Sequence, residues 1–159
     1  MIAMGLAACE PVGVDPSMEA GANASVTGES PADVKYLRSD EPMRVGIERF
    51  NEGNFGLAQR YFQDAVEKTP HNPSAWNALA ASYDRLARFD LADNAYTSAV
   101  RFGGRSVQII NNEGYSHMLR GDLRTARAKF LQALRLDPTN QTVMNNLSLL
   151  DSSEKFMAP

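Results

Sequence analysis

The chain of 159 residues has one cysteine, Cys9, and two histidines, His71 and His117. A single cysteine excludes an internal disulfide, and so few thiol and imidazole groups leave no ligand spacing for a metal. Neither histidine has a Cys, Ser or carboxylate arrangement around it. His71 falls in the turn PHNP, and His117 lies on what reads as the core face of a helix. No phosphate-cradling glycine loop or nucleophile motif occurs either, so neither a cofactor nor enzymatic turnover of a small-molecule substrate is expected. Long apolar runs are absent, and a folded soluble domain is expected. An excess of basic charge is lacking as well: the net charge is -3 and the pI about 5.4. Without a basic field or a Lys/Arg cluster interleaved with aromatics, nucleic acid is not an expected partner.

What charge there is lies unevenly. Residues 1–72 sum to -5 and residues 73–159 to +2. The positive part is a run in which Arg101, Arg105, Arg120, Arg124, Arg127, Lys129 and Arg135 face only Glu113 and Asp122. It reads first as a solvated helix surface, with docking to an acidic partner or to anionic lipid as the alternative.

The N-terminus begins MIAMGLAACE, and Leu6-Ala7-Ala8-Cys9 resembles a bacterial lipobox, in which the cysteine thiol is acylated. A secretory signal also needs a charged n-region and an apolar segment of about 7 to 15 residues. Here only eight uncharged residues precede Cys9, as if residues 1–9 were the remnant of a longer signal. The alternative is a soluble cytosolic chain with a chance LAAC. Residues 10–36 are rich in Gly, Ala, Ser, Pro and acids, show neither helical nor strand periodicity, and are expected to be disordered. A flexible segment of that length spans roughly 25 to 30 Å, enough to tether a domain to a membrane.

From residue 37 to 155 the chain repeats. Overlaying residues 34 apart aligns Ala58, Ala92 and Ala126; Phe62, Tyr96 and Phe130; Ala65, Ala99 and Ala133; and Gly46, Ala80 and Gly114. Small residues let helices approach closely and the aromatics fill the space between them, which predicts two antiparallel helices per unit. Asn72-Pro73 reads as a cap followed by a first-turn proline, Gly53 and Gly121 break the hairpins, and Gly103-Gly104 ends a helix.

Trp76, Leu79, Ala80, Tyr83, Ala92, Tyr96 and Ala99 stand at the spacings of the tetratricopeptide (TPR) consensus, and the chain resembles that family. The resemblance implies an all-α fold, a right-handed superhelical solenoid with repeats at 39–72, 73–106 and 107–140. Residues 140–155 repeat the first-helix pattern alone and read as a solvating end helix. The first repeat departs from the consensus at Pro42 and Arg49, the third at Ile110 and His117.

In each first helix, positions 2, 5, 6, 9, 12 and 13 lie opposite the core and, in such a solenoid, line the concave groove. Position 5 is Asn77, Asn111 and Asn145, and position 6 adds Asn112 and Asn146. An amide both donates and accepts, so a ladder of them suits the backbone of an extended peptide. Met43, Ile47 and Phe50 in the first repeat, Arg85 in the second, and Gln108, Tyr115 and Met118 in the third share that side. The apolar ones could take a partner's side chains. The alternative is that the amides satisfy neighbouring first helices or face water. The carboxylate clamp by which some TPR grooves hold the C-termini of chaperones needs Lys, Asn and Arg at places occupied here by Met43, Ile47, Ala78, Gln108 and Asn112. A cochaperone of that type is therefore not expected.

A narrower resemblance is carried by NNEGYSHMLRGDLRTARAKFLQALRLDPTNQTVMNNLSLL, which is similar to the last repeat of the TadD-type TPR lipoproteins of the tight-adherence (Flp) pilus system. It implies an outer-membrane lipoprotein facing the periplasm, anchored through Cys9, that assists pilus or secretion assembly, acting on a secretin like a pilotin. Two other readings stay open: a soluble cytosolic adaptor or chaperone for an exported client, and a purely structural scaffold.

Overall fold

Asn72 sets the pattern by which these helices begin. Its side-chain oxygen accepts from the backbone N–H of Ser74 at 3.0 Å and Ala75 at 3.4 Å, and Pro73 follows with no N–H to satisfy. Ser106 and Asp122 cap the starts of two later helices in the same way. A computed structural model describes residues 41–157, and side chains up to residue 153. Among the described residues there are seven helices and no strand: α1 (Glu41–Asn51), α2 (Phe55–Lys68), α3 (Pro73–Arg85), α4 (Phe89–Gly103), α5 (Val107–Leu119), α6 (Leu123–Leu136) and α7 (Gln141–Met157). They form three hairpins, α1–α2, α3–α4 and α5–α6, followed by α7, with the starts of α3, α5 and α7 each 34 residues apart. Helical hairpins in series are the fold class expected; the lipobox at Cys9, the segment 10–36 and residues 37–40 lie outside the described residues.

Each hairpin turns at the same place. Gly53, Ala87 and Gly121, 34 residues apart, have φ of 77°, 56° and 81°, the left-handed region that glycine enters at no steric cost. Ala87 adopts it with a Cβ, so the second hairpin overrides a local preference that the other two obey.

Within a hairpin the helices approach at a second fixed place. A Cβ built on Gly46 would stand 2.5 Å from the ring of Phe62, and one on Gly114 would stand 2.7 Å from that of Phe130. Two buried clusters result. Ala58, Phe62, Ala65, Leu79, Ala80, Ala92, Tyr96 and Ala99 belong to the first, and Ile110, Ala126, Phe130, Ala133, Val143 and Leu150 to the second. Burying each large side chain contributes about 1.5 to 3 kcal/mol.

The end helix α7 covers the second cluster with Val143 and Leu150, and Asp151 bonds Arg127 of α6 at 2.6 Å. Ser148 occupies the place of Gly46, Ala80 and Gly114, but no second helix faces it among the described residues.

Candidate functional site: the concave groove

The first helices α1, α3 and α5 line up side by side, and one cavity of about 280 Å³ opens on their common face. Met43, Ile47, Phe50 and Asn51 come from α1, Ser74, Asn77, Ala78 and Ala81 from α3, and Gln108 and Asn112 from α5, with Phe62 at the floor. Its walls are mostly apolar, and no described residue that lines it carries a charge. Of the residues expected in the groove, this brings together Met43, Ile47, Phe50, Asn77, Gln108 and Asn112. Ile47 is 47% exposed, a large apolar side chain left at the mouth. Ser74, Ala78 and Ala81 line the cavity too; small residues at positions 2, 6 and 9 of α3 are what leave it room.

The asparagines bind one another across repeats. Asn112 donates to the side-chain oxygen of Asn77 at 3.2 Å, and Asn146 donates to that of Asn111 at 2.9 Å, each pair 35 residues apart. Asn111 in turn donates to Asn112 at 3.4 Å. Asn77 and Asn111 are buried, at 4% and 6% exposure, so position 5 of one first helix is covered by position 6 of the next. Asn145 differs: it is exposed and accepts from Gln141 of its own helix. The ladder thus runs from position 5 to position 6, with Asn77 and Asn112 its members at the cavity wall.

Tyr115 and Met118 are half-buried and pack against the second core cluster together with Leu147 of α7. Arg85 is exposed, its guanidinium carbon 4.3 Å over the ring of Phe55, which meets Phe50 edge-on at 5.1 Å. Arg85 therefore stands beside the cavity and not in its wall.

On the seam between the second and third repeats lies a polar network that sequence reasoning missed. Asp84 is 4% exposed and accepts from the Tyr96 hydroxyl at 2.8 Å and the Ser116 hydroxyl at 2.6 Å. Arg120 donates to Ser116 at 2.6 Å and holds both oxygens of Asp93, at 2.8 and 2.9 Å. Burial raises the Asp84 carboxyl above the ordinary carboxylate value, against the pull of Ser116, Tyr96 and Arg120. The bonds from Arg120 lower Asp93, and burial beside Asp84 raises the Tyr96 hydroxyl well above its usual range. The one signal in the sequence was negative: Asp84 falls at the place of Phe50 and Met118, where an apolar residue was due.

Much of the basic run 101–135 is likewise engaged. Besides Arg120, Lys129 bonds Glu113 at 2.6 Å and Arg127 bonds Asp151. His117 places Nδ1 3.2 Å from Asp122, its side chain one quarter exposed. Among the described residues no group of His, Cys, Asp and Glu could hold a metal ion, and no helix is long and apolar enough to cross a membrane.

Comparison with known proteins agrees with this geometry. The tetratricopeptide repeat family model matches residues 46–107. RNA polymerase II-associated protein 3 of Rattus norvegicus is 24% identical over 134 residues, which are 81% of this chain and 20% of that protein. The chain thus spans about a fifth of the length of this curated relative. Among solved structures, the first TPR of Spaghetti (RPAP3) bound to the HSP90 peptide SRMEEVD is 20% identical, with a TM-score of 0.61 over 75% of this chain and 97% of that one. Pseudomonas aeruginosa PilF is 26% identical, with a TM-score of 0.62 over 74% of this chain and 54% of that one.

Proposed function

The chain is a tetratricopeptide-repeat protein, and from that premise we propose that it does no chemistry of its own but holds an extended segment of a partner protein in its concave groove. One observation carries the reading. The five places where a carboxylate clamp would set its cations and amides, Met43, Ile47, Ala78, Gln108 and Asn112, all line the cavity, and none is charged. The peptide held by the Spaghetti domain, SRMEEVD, carries three acidic side chains, and an acidic group entering this cavity would lose hydration without gaining a cationic partner. A neutral peptide suits it better. An apolar side chain fits among Met43, Ile47 and Phe50, while Gln108 and Asn112 offer donors and acceptors to the peptide backbone.

An array of extended peptides tests this, some neutral with an Ile, Leu or Phe anchor and some acidic-tailed, SRMEEVD among them. Neutral anchored peptides are expected to bind, and Ile47→Arg to abolish that binding while the chain stays folded. A preference for SRMEEVD, or full binding by the Ile47→Arg chain, would sink the reading.

We place an adaptor or client chaperone in the cytoplasm ahead of an envelope lipoprotein of a pilus system acting on a secretin, because the similar Spaghetti domain holds an HSP90 peptide. The lipoprotein alternative rests on Leu6-Ala7-Ala8-Cys9. Mass spectrometry of the N-terminus from membrane and soluble fractions decides between them: an unmodified terminus in the soluble fraction supports the adaptor, and an acylated Cys9 in the membrane fraction overturns it.

A further inference from the structure

Away from the groove, a cavity of about 370 Å³ lies where the start of α2 meets the turn of the second hairpin, lined by Gly56, Leu57, Gln59, Arg60, Leu86 and Arg88. Two arginines, Arg60 and Arg88, line it, and among the described residues no acid does. Both arginines are exposed, and among the described residues neither makes a hydrogen bond or ion pair. The acids nearest in sequence do not neutralise them: Asp64, one turn beyond Arg60, is bonded to Lys68 at 3.0 Å, and Asp90 lies outside the cavity wall at the start of α4. This is unlike the run 101–135, where Arg120, Arg127 and Lys129 each hold a carboxylate.

We infer that this cavity takes the carboxylates of an acidic segment of a protein partner, with Arg60 and Arg88 as the pair that grips them. A guanidinium presents its donors in a planar fork that matches a carboxylate, and two such forks across one cavity suit neighbouring acidic side chains. Leu57 and Leu86 supply an apolar wall along which the methylenes of a glutamate can lie. The site uses no residue of the concave groove, so it stands whether or not the groove holds a peptide.

The probe is a synthetic hexaglutamate peptide, titrated into the full chain while the arginine side-chain N–H resonances are followed by NMR, with hexaglutamine as the uncharged control. The Arg60 and Arg88 signals are expected to move with hexaglutamate and not with hexaglutamine, and the binding to weaken as salt is added. The double variant Arg60→Ala/Arg88→Ala is expected to bind hexaglutamate about tenfold more weakly or worse, since it loses two charge-assisted contacts. Its melting temperature should not change, because among the described residues neither side chain bonds another. Wild-type affinity in the double variant, equal shifts with hexaglutamine, or shifts confined to Arg101, Arg105, Arg124 and Arg135 would each overturn the assignment.

Discussion

The groove between α1, α3 and α5 and the seam between α3, α4 and α5 share two helices, yet they end in opposite states. In the seam a buried carboxylate, two hydroxyls and a guanidinium share one another's hydrogen bonds, and of the group only Arg120 Nε is buried without a partner among the described residues. At the groove the walls are apolar and uncharged, and Ile47 is left half exposed. A polar network shared across three helices fixes how two repeats sit together. An open apolar face has no internal use for its side chains and is where a partner gains by binding.

Breaking the seam should cost most. Asp84→Ala leaves the Tyr96 and Ser116 hydroxyls without their shared acceptor and removes the carboxylate 4.0 Å from Arg120, and a loss of about 2 to 4 kcal/mol is expected in urea unfolding. A loss below about 1 kcal/mol would mean that the network is incidental to stability. Next comes the amide ladder, which reaches the groove wall at Asn77 and Asn112. Asn111→Ala removes the buried acceptor of Asn146 and should cost about 1 to 2 kcal/mol, whereas Asn145→Ala, at an exposed position, should change stability by less than about 0.5 kcal/mol. Equal effects would erase the distinction between the two asparagines. Smallest in stability is the groove itself: Ile47→Arg should shift the free energy of unfolding by less than about 0.5 kcal/mol while removing peptide binding.

The pH dependence sharpens the comparison from another side. The Asp84 carboxyl is raised in the folded chain, so its contribution to stability is complete below the unfolded carboxylate value and is lost as pH rises through the folded one. Asp93, lowered by Arg120, works in the opposite sense: its stabilisation is present above the unfolded value and lost as pH falls through the folded one. Asp84→Asn removes only the first effect. Its stability relative to wild type should therefore rise as pH increases from the unfolded carboxylate value through the raised folded one, and a flat difference would show that Asp84 does not titrate across folding.

The helices could be read from the sequence because their signals are local: Asn72-Pro73 caps α3, and Gly53 and Gly121 turn two hairpins. Ala87 could not be read, since it performs the glycine turn against its own preference, held there by the helices on either side. The groove register came through because Met43, Ile47, Gln108 and Asn112 follow from a spacing of 34 and a helical wheel. The burial of Asn77 and Asn111 did not. A wheel places a residue on its own helix, whereas burial here is decided by position 6 of the following helix. Asp84 escaped for the same reason, its partners coming from α4 and α5.

The single-sided packing of α7 bears on time as well as on structure. Among the described residues no second helix faces Ser148, so α7 has fewer contacts to break there and should be the first part of that array to open and the fastest to exchange its amide hydrogens. Each opening frees Asn111 from Asn146 and leaves one more acceptor on the concave side for a moment. The last helix would then act as a shutter whose opening rate sets how quickly that end of the ladder can accept a new chain.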